Sequence, residues 1–345
     1  MAGYRSVDNV EHRTHIAKVW GIEESSIPGK GVSAYEMFEK MLEKEIRGMI
    51  VLGSNPVVSN PNTNLVKSAL GKLDFLVVID TLMSETAELA DLILPGSTYL
   101  EEEGTMTNLE GRVILRKATR KLPGEARLDW KILCEISELL GKGKFFPYQS
   151  SKEIFEELRK ASQGGIADYA GITYERIEEE KGVYWPCPEE SHPGTPRMFE
   201  RGKFYHRNGK ARVTPIANQF PKEKADEEFP LTLTTGRILH HYQTGVQTRI
   251  TAELNKTSEP FIEIHPTTAS LIGLVDKEKA RICSRRGEMI LKVKFSPGIR
   301  EDTVFVPFHW EGKQSINQLT LPKLDPQSRM PEFKACAVRV TPIEV

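Results

Sequence analysis

The chain reads as an α/β protein in which a parallel-sheet portion is followed by an irregular connector and then a C-terminal β-barrel domain. Three features predict this. Up to about residue 125, short apolar runs alternate with helical stretches. Residues 145–228 mix one helical pattern with Pro, Gly and charge-rich stretches such as Cys187 to Pro196. From Pro230 onward, short β-type runs recur between turn signals. The expected domain division is 1–125, 126–228 and 229–345.

In chain order, Ser33 followed by Glu36 has the spacing of a capping box, and Tyr35, Phe38, Met41, Leu42 and Ile46 then recur at helical intervals. That predicts a helix ending near Gly48. The runs Met49 to Leu52, Phe75 to Ile79 and Leu92 to Leu94 read as strands, with helical stretches around Asn64 to Leu70 and Ser84 to Ala90 between them. Strand-helix alternation implies parallel pairing, with a ligand crevice beyond the C-terminal strand ends. A helix from Asp129 to Leu140 carries Ile132, Leu133, Ile136 and Leu140 on one face and stops at Gly141. Another falls near Ile154 to Leu158. The barrel strands are Leu231 to Thr234, Phe261 to Ile264, Ala280 to Ser284, Met289 to Phe295 and Thr303 to Val306, punctuated by Arg286-Gly287 and Pro297-Gly298.

At 345 residues, 39% hydrophobic and with a formal net charge of -1, the composition is that of a soluble globular chain of two or three domains. No run approaches the roughly 20 apolar residues of a membrane span, and the N-terminus lacks the apolar core of a secretory signal. The expected location is cytoplasmic, without a membrane partner. Balanced charge argues against nucleic acid as a partner. Cys134, Cys187, Cys283 and Cys336 stand far apart with no C-x-x-C pair. They read as buried thiols rather than as ligands to zinc or to an iron-sulfur cluster.

Two strand ends carry candidate chemistry. Gly53-Ser54-Asn55-Pro56 can turn backbone N–H groups toward a phosphate, but it is not a dinucleotide fingerprint. Asp80 fits either a carboxylate that accepts hydrogen bonds from a guanine or ribose, or a solvated turn residue.

Read together, a set of segments becomes specific. They are Gly3-Tyr4-Arg5-Ser6, Glu11-His12-Arg13, Ser54-Asn55-Pro56, Ala90 to Pro95, Glu103 to Asn108 and Pro123 to Arg127. Further on come His192 to Pro196, Thr235-Gly236-Arg237, Pro307 to Trp310, Asn317 to Thr320, Asp325-Pro326 and Pro331 to Val338. Their order and spacing resemble the C-terminal half of the molybdopterin oxidoreductase family over nearly the whole chain, most similar to assimilatory nitrate reductases. The resemblance implies a Rossmann-like α/β portion followed by a dinucleotide-binding β-barrel. It also implies a molybdenum bis-(molybdopterin guanine dinucleotide) cofactor and reduction of the small anion nitrate to nitrite. A formate dehydrogenase large subunit is the alternative within enzymes. A non-catalytic module that binds a pterin nucleotide or a subunit is the alternative outside them.

Carried over by resemblance, Asn55 and Asp80 meet one nucleotide. Asp129 matches a guanine-binding position, though it equally fits a helix N-cap. Thr235 to Thr244, with Thr235, Gly236 and Thr244 as members, matches the loop that wraps the second cofactor; Arg237 is suited to phosphate through its planar fork, and His241 and Gln243 supply polar contacts near the pterin. Asn317 and Lys334 match cofactor contacts, and Phe308 and His309 line part of the substrate pocket. The family's four-iron four-sulfur cluster cysteines and molybdenum ligand lie in an N-terminal half with no counterpart here. No catalytic residue or metal ligand is therefore assigned, and the isolated chain is expected to be inactive without that half or a partner subunit and an electron-donor protein. Relatives often carry Lys where Glu102 stands, which inverts the local charge.

Overall fold

A computed structural model describes residues 1–343 apart from 205, 207 and 218. The last two residues of the predicted barrel domain lie outside these. In chain order the strands are β1 (Gly48–Leu52), β2 (Phe75–Asp80) and β3 (Leu92–Pro95) in one sheet; β4 (Gly104–Thr107), β5 (Arg112–Arg116) and β6 (Val183–Tyr184) in a second; and β7 (Leu231–Gly236), β8 (Phe261–Ile264), β9 (Lys279–Ser284), β10 (Gly287–Phe295), β11 (Thr303–Pro307) and β12 (Cys336–Pro342) in a closed barrel. The α/β architecture with a parallel sheet and a C-terminal barrel is as the sequence predicts. Packing groups the chain into two compact units that interleave along the sequence: Met1–Gly31 with Pro95–Ile216, and Val32–Leu94 with Ala217–Val345.

The second of these units holds both the parallel sheet and the barrel. Its first helix, Ala34–Leu42, opens on a complete capping box: Ser33 Oγ accepts from the Glu36 N–H, and the Ser33 N–H donates to Glu36 Oε2 at 3.0 Å. The helix ends at Leu42 rather than near Gly48, because Lys44 takes a left-handed φ of 59° and breaks the helical hydrogen-bond run. Ile46 still reaches the same core from the turn that follows. β1 and β2 pair in parallel, with Val51 opposite Val78, and helix Thr63–Leu70 lies in the connection between them. Phe38, Met41, Val66, Leu76 and Val78 bury together where the helical and strand patterns meet. The stretch Ser84 to Ala90 contains only one 3-10 turn, Ala87–Leu89.

The barrel closes in the order β10-β8-β11-β7-β12-β9. Alternation along β7, β10 and most of β11 sends Leu231 and Leu233, Met289, Leu291 and Val293, and Val304 and Val306 inward, where they meet Ile262, Ile264 and Ile282. Each of these side chains contributes roughly 1.5–3 kcal/mol by leaving water. β12 closes the ring between β7 and β9, so the apolar run from Cys336 is a sixth barrel strand beyond the five predicted. Polar ties join barrel and sheet within this unit. Asn317 Nδ2 donates to the Val58 carbonyl at 2.7 Å, and the hydroxyls of Thr63 and Ser315 lie 3.2 Å apart.

The other unit is built on helices Val10–Trp20, Asp129–Leu139 and Ser151–Ser162 and on the antiparallel sheet β4-β5-β6. Asn9 caps the first of these helices and Gly21, at φ 64°, ends it. Val113, Phe155, Ile172, Ile177 and Val183 form the core of the sheet region. Arg5 is buried and satisfies the Ala161 carbonyl at 2.8 Å in the last turn of helix Ser151–Ser162. The connector is less irregular than its Pro and Gly content predicts, since it carries that helix, a short helix Tyr174–Glu179 and β6. Among the described residues, no helix is long and apolar enough to cross a membrane.

Candidate functional site

β7 and β11 run parallel, Thr235 opposite Val306 and Gly236 opposite Pro307, so their C-terminal ends deliver Thr235-Gly236 and Phe308-His309 side by side. The Phe308 N–H donates to the Gly236 carbonyl at 3.2 Å. Thr235 is held at two points. Its hydroxyl donates to the Phe333 carbonyl at 3.0 Å, and its own carbonyl accepts Lys334 Nζ at 2.6 Å. The lysine just before β12 is thereby brought to the start of the loop that follows β7.

That loop, Arg237 to Thr244, is organised by two buried imidazoles. His309 is fully buried; its Nε2 accepts from the Ile238 N–H at 3.0 Å, and its Nδ1 lies 2.6 Å from the Gln243 carbonyl. Burial lowers its pKa, and the neighbouring His241, Arg237 and Arg249 lower it further. His241 is also buried, with Nε2 2.8 Å from the Thr257 carbonyl and Nδ1 3.0 Å from the Thr248 hydroxyl. The edge of Trp310 packs against His241 at 5.1 Å between centroids, and its Nε1 donates to the Ser258 carbonyl at 3.1 Å. Both histidines thus have their ring nitrogens engaged inside the protein. Phe308 is half-buried beside them.

What the loop offers to solvent is positive charge. Arg237 is exposed and its Nη2 donates to Gln243 Oε1 at 3.1 Å, and among the described residues its other guanidinium donors have no partner. Lys334 has its pKa lowered, first by burial and then by the charge of Arg237. Among the described residues neither cation forms an ion pair with a carboxylate. Two cations converging at a strand end without a counter-charge fit a diphosphate, which would relieve their mutual repulsion. Thr244 is half-buried at the end of this loop.

The other predicted residues fall into three settings. At the end of β1, Asn55 is buried and its amide is committed. Nδ2 donates to Glu85, and Oδ1 accepts from the Thr86 hydroxyl at 2.8 Å. The second Glu85 oxygen pairs with Arg249, which follows the barrel loop, so a buried charge pair links the two strand-end regions of this unit. Glu85, Thr86, Arg249 and Gly245 were not legible as site-supporting residues, because nothing in the sequence brings positions 85 and 249 together. Asp80, at the end of β2, is half-buried and accepts from the Thr81 N–H at 2.7 Å. Asn317 is buried, its amide spanning the Val58 carbonyl and the Thr320 hydroxyl. Asp129 belongs to the other compact unit. It is the first residue of its helix rather than the N-cap, and its Oδ1 accepts from the Ser97 N–H at 3.0 Å. Glu102 pairs with Arg116 at 2.8 Å and accepts from Ser97 Oγ at 3.2 Å. Its inverted charge is therefore balanced within its own unit.

Comparison with known proteins gives the family. The chain belongs to the molybdopterin oxidoreductases: the Molybdopterin oxidoreductase family matches residues 15–139, and the Molydopterin dinucleotide binding domain matches 231–337, from β7 through the loop after it to the start of β12. Within that class it stands near the nitrate reductase catalytic subunits. It is 54% identical to the assimilatory nitrate reductase catalytic subunit of Bacillus subtilis, over 99% of this chain and 49% of that protein. It is 39% identical to the F420-dependent formate dehydrogenase 1 subunit alpha of Methanococcus maripaludis, over 92% of this chain and 46% of the relative. The chain thus spans about half the length of the curated relatives it matches. Acetylene hydratase from Pelobacter acetylenicus shares the fold, with a TM-score of 0.69 at 19% identity, covering 96% of this chain and 50% of the other.

Proposed function

We propose that the Thr235 to Thr244 loop with Lys334 binds the diphosphate of a molybdopterin guanine dinucleotide. The chain would then supply the cofactor-gripping, C-terminal half of a nitrate reductase catalytic subunit. The observation that carries this is the pair Arg237 and Lys334, two cations at one strand end with no carboxylate partner among the described residues. Arg237 supplies a planar donor fork and Lys334 a point charge. Gln243 orients the fork, Thr235 holds the ammonium, and Gly236 with Thr244 leaves the backbone open on either side. Asn55 and Asp80 match positions that meet the other nucleotide, Asn55 by shaping the strand end that its committed amide holds, and Asp129 matches a guanine-binding position. Asn317 contributes by fastening the barrel to the sheet.

When bound, the molybdenum centre supplies two-electron oxygen-atom transfer, and the residues of this chain bind and orient it. Reduction of nitrate requires the segment that carries the metal ligand and iron-sulfur cluster, whether in the same polypeptide or in a partner, together with an electron donor. We assign the assembly to the cytoplasm. In sequence order we divide its domains at 1–125, 126–228 and 229–345, a division distinct from the two packing units, which interleave along the chain. Formate oxidation is the second reading, favoured by the likeness to the F420-dependent enzymes. Steady-state assays of the assembled enzyme with nitrate and with formate separate the two.

Arg237→Ala tests the binding surface. Loss of a charge-assisted donor worth about 1.5–3 kcal/mol lowers retained guanine nucleotide roughly 10- to 100-fold. Unchanged nucleotide content in this variant, measured by GMP release, would sink the assignment.

A further inference from the structure

The barrel loop holds its shape through one buried ring. The Ile238 N–H can only donate, so the Nε2 of His309 that faces it at 3.0 Å carries a lone pair. The Gln243 carbonyl can only accept, so the Nδ1 that faces it at 2.6 Å carries the proton. A single neutral tautomer satisfies both bonds. A second proton would set Nε2–H against a backbone N–H, in a spot already surrounded by Arg237 and His241 from the loop and Arg249 from the helix beyond it. The two bonds lie five residues apart, and Arg237 directly precedes the first of them. Two further features depend on the same ring and its backbone. Gln243 is held at φ 49°, a left-handed conformation that a non-glycine residue adopts only under contact. Gly245, at φ 82°, lies so close that a Cβ there would fall 2.3 Å from the His309 carbonyl oxygen.

We propose that His309 is a positioning residue: its neutral, Nδ1-protonated imidazole fixes the main chain at Ile238 and Gln243 and thereby aims the Arg237 guanidinium through Gln243. The fixing of the loop stands on geometry alone. Only its consequence for ligand binding rests on the nucleotide reading above. Because the neutral form is the one the fold uses, the lock is complete above the ordinary histidine pKa of about 6.5 and is lost as pH falls through the lowered folded value. Both ring nitrogens of His309 are committed to main chain.

The test uses the full chain. Nitrogen NMR on 15N-histidine-labelled protein, with the His309 resonances assigned by their absence in His309→Gln, reads the tautomer directly. The expected result at pH 7 is a neutral ring protonated on Nδ1, the minor form in water. Hydrogen exchange then follows the peptide covering 237–245. In His309→Phe this segment exchanges roughly tenfold faster or more, as expected for two lost hydrogen bonds, while peptides from the barrel strands do not change. His309→Gln, whose amide can accept from Ile238 and donate to Gln243, restores much of the protection. A ring protonated on Nε2, a cationic ring at pH 7, or unchanged protection in His309→Phe would overturn the proposal. If His309→Phe fails to fold, the wild-type tautomer and the loss of 237–245 protection on acidification still decide it. Nucleotide content is a separate readout. Its absence with the tautomer and protection intact defeats the nucleotide reading alone, and the reverse pattern defeats the positioning role alone.

Discussion

Neutralising the Glu85 carboxylate should destabilise the sheet-and-barrel unit by about 2–3 kcal/mol, even though Glu85→Gln keeps the side chain's shape. In the wild type one oxygen accepts from Arg249 and the other from the Asn55 amide, with side-chain exposures of only 8% for Glu85 and 19% for Arg249. Arg249 Nε is already buried without a partner among the described residues, so the guanidinium has little alternative solvation. Breaking a buried pair typically costs about 3–5 kcal/mol, and the partial exposure of Arg249 puts this one at the lower end. The glutamine can still accept from Arg249. Its NH₂ group, however, meets the Asn55 Nδ2 donor, and turning the Asn55 amide over sacrifices the 2.8 Å bond from Thr86. Removing both charges with Glu85→Met and Arg249→Met leaves no orphaned ion and should cost less than the sum of the two single changes by at least about 1 kcal/mol. Chemical denaturation followed by hydrogen exchange in peptides from 231–343 gives the free energies for this unit. A Glu85→Gln variant within about 0.5 kcal/mol of wild type, or additive methionine variants, would refute the reasoning.

Three further outcomes are expected. Gly245→Ala must hold an alanine in left-handed backbone and press its Cβ on the His309 carbonyl, so it should lose more than about 2 kcal/mol and lower the thermal midpoint; an unchanged midpoint contradicts it. Leu233→Ala empties a fully buried position in the barrel core and should cost about 2–5 kcal/mol in denaturant titration. Cys336 is buried and its thiol is pushed up to about 12 by burial, while Cys187 is fully enclosed. Ellman's reagent at pH 8 should therefore label the half-buried Cys283 and leave Cys336 and Cys187 unreacted until the chain unfolds.

The sequence made the large architecture legible because two periodicities change over along it. Alternating Leu231, Leu233 and Val304, Val306 could only be strands with one buried face, and the helix-strand alternation before residue 95 fits parallel pairing. It was weaker where structure depends on distant partners. The hairpin β4-β5 has a half-exposed, polar face, and helix Val10–Trp20 buries only Ile16 and Ala17, so neither shows a strong apolar pattern. The helix after Ser33 was read too long because Ile46 falls at a helical interval, although it packs from a turn. The site divides in the same way. Arg237 and Lys334 could be singled out by motif resemblance, but that their charges have no carboxylate partner among the described residues is visible only in the fold. The burial of His309, Asn55 and Asn317 likewise depends on Ile238, Glu85 and Val58, which no local pattern connects to them.

The most direct test of the central claim is analysis of the chain purified from a host that makes the molybdenum cofactor, with GMP released by acid hydrolysis and molybdenum measured by elemental mass spectrometry. Guanine nucleotide in the wild-type chain that is lost when Arg237 and Lys334 are both changed to alanine is the predicted result. A wild-type chain free of guanine nucleotide, or a double variant that retains as much as wild type, would contradict the assignment of this loop as the dinucleotide grip.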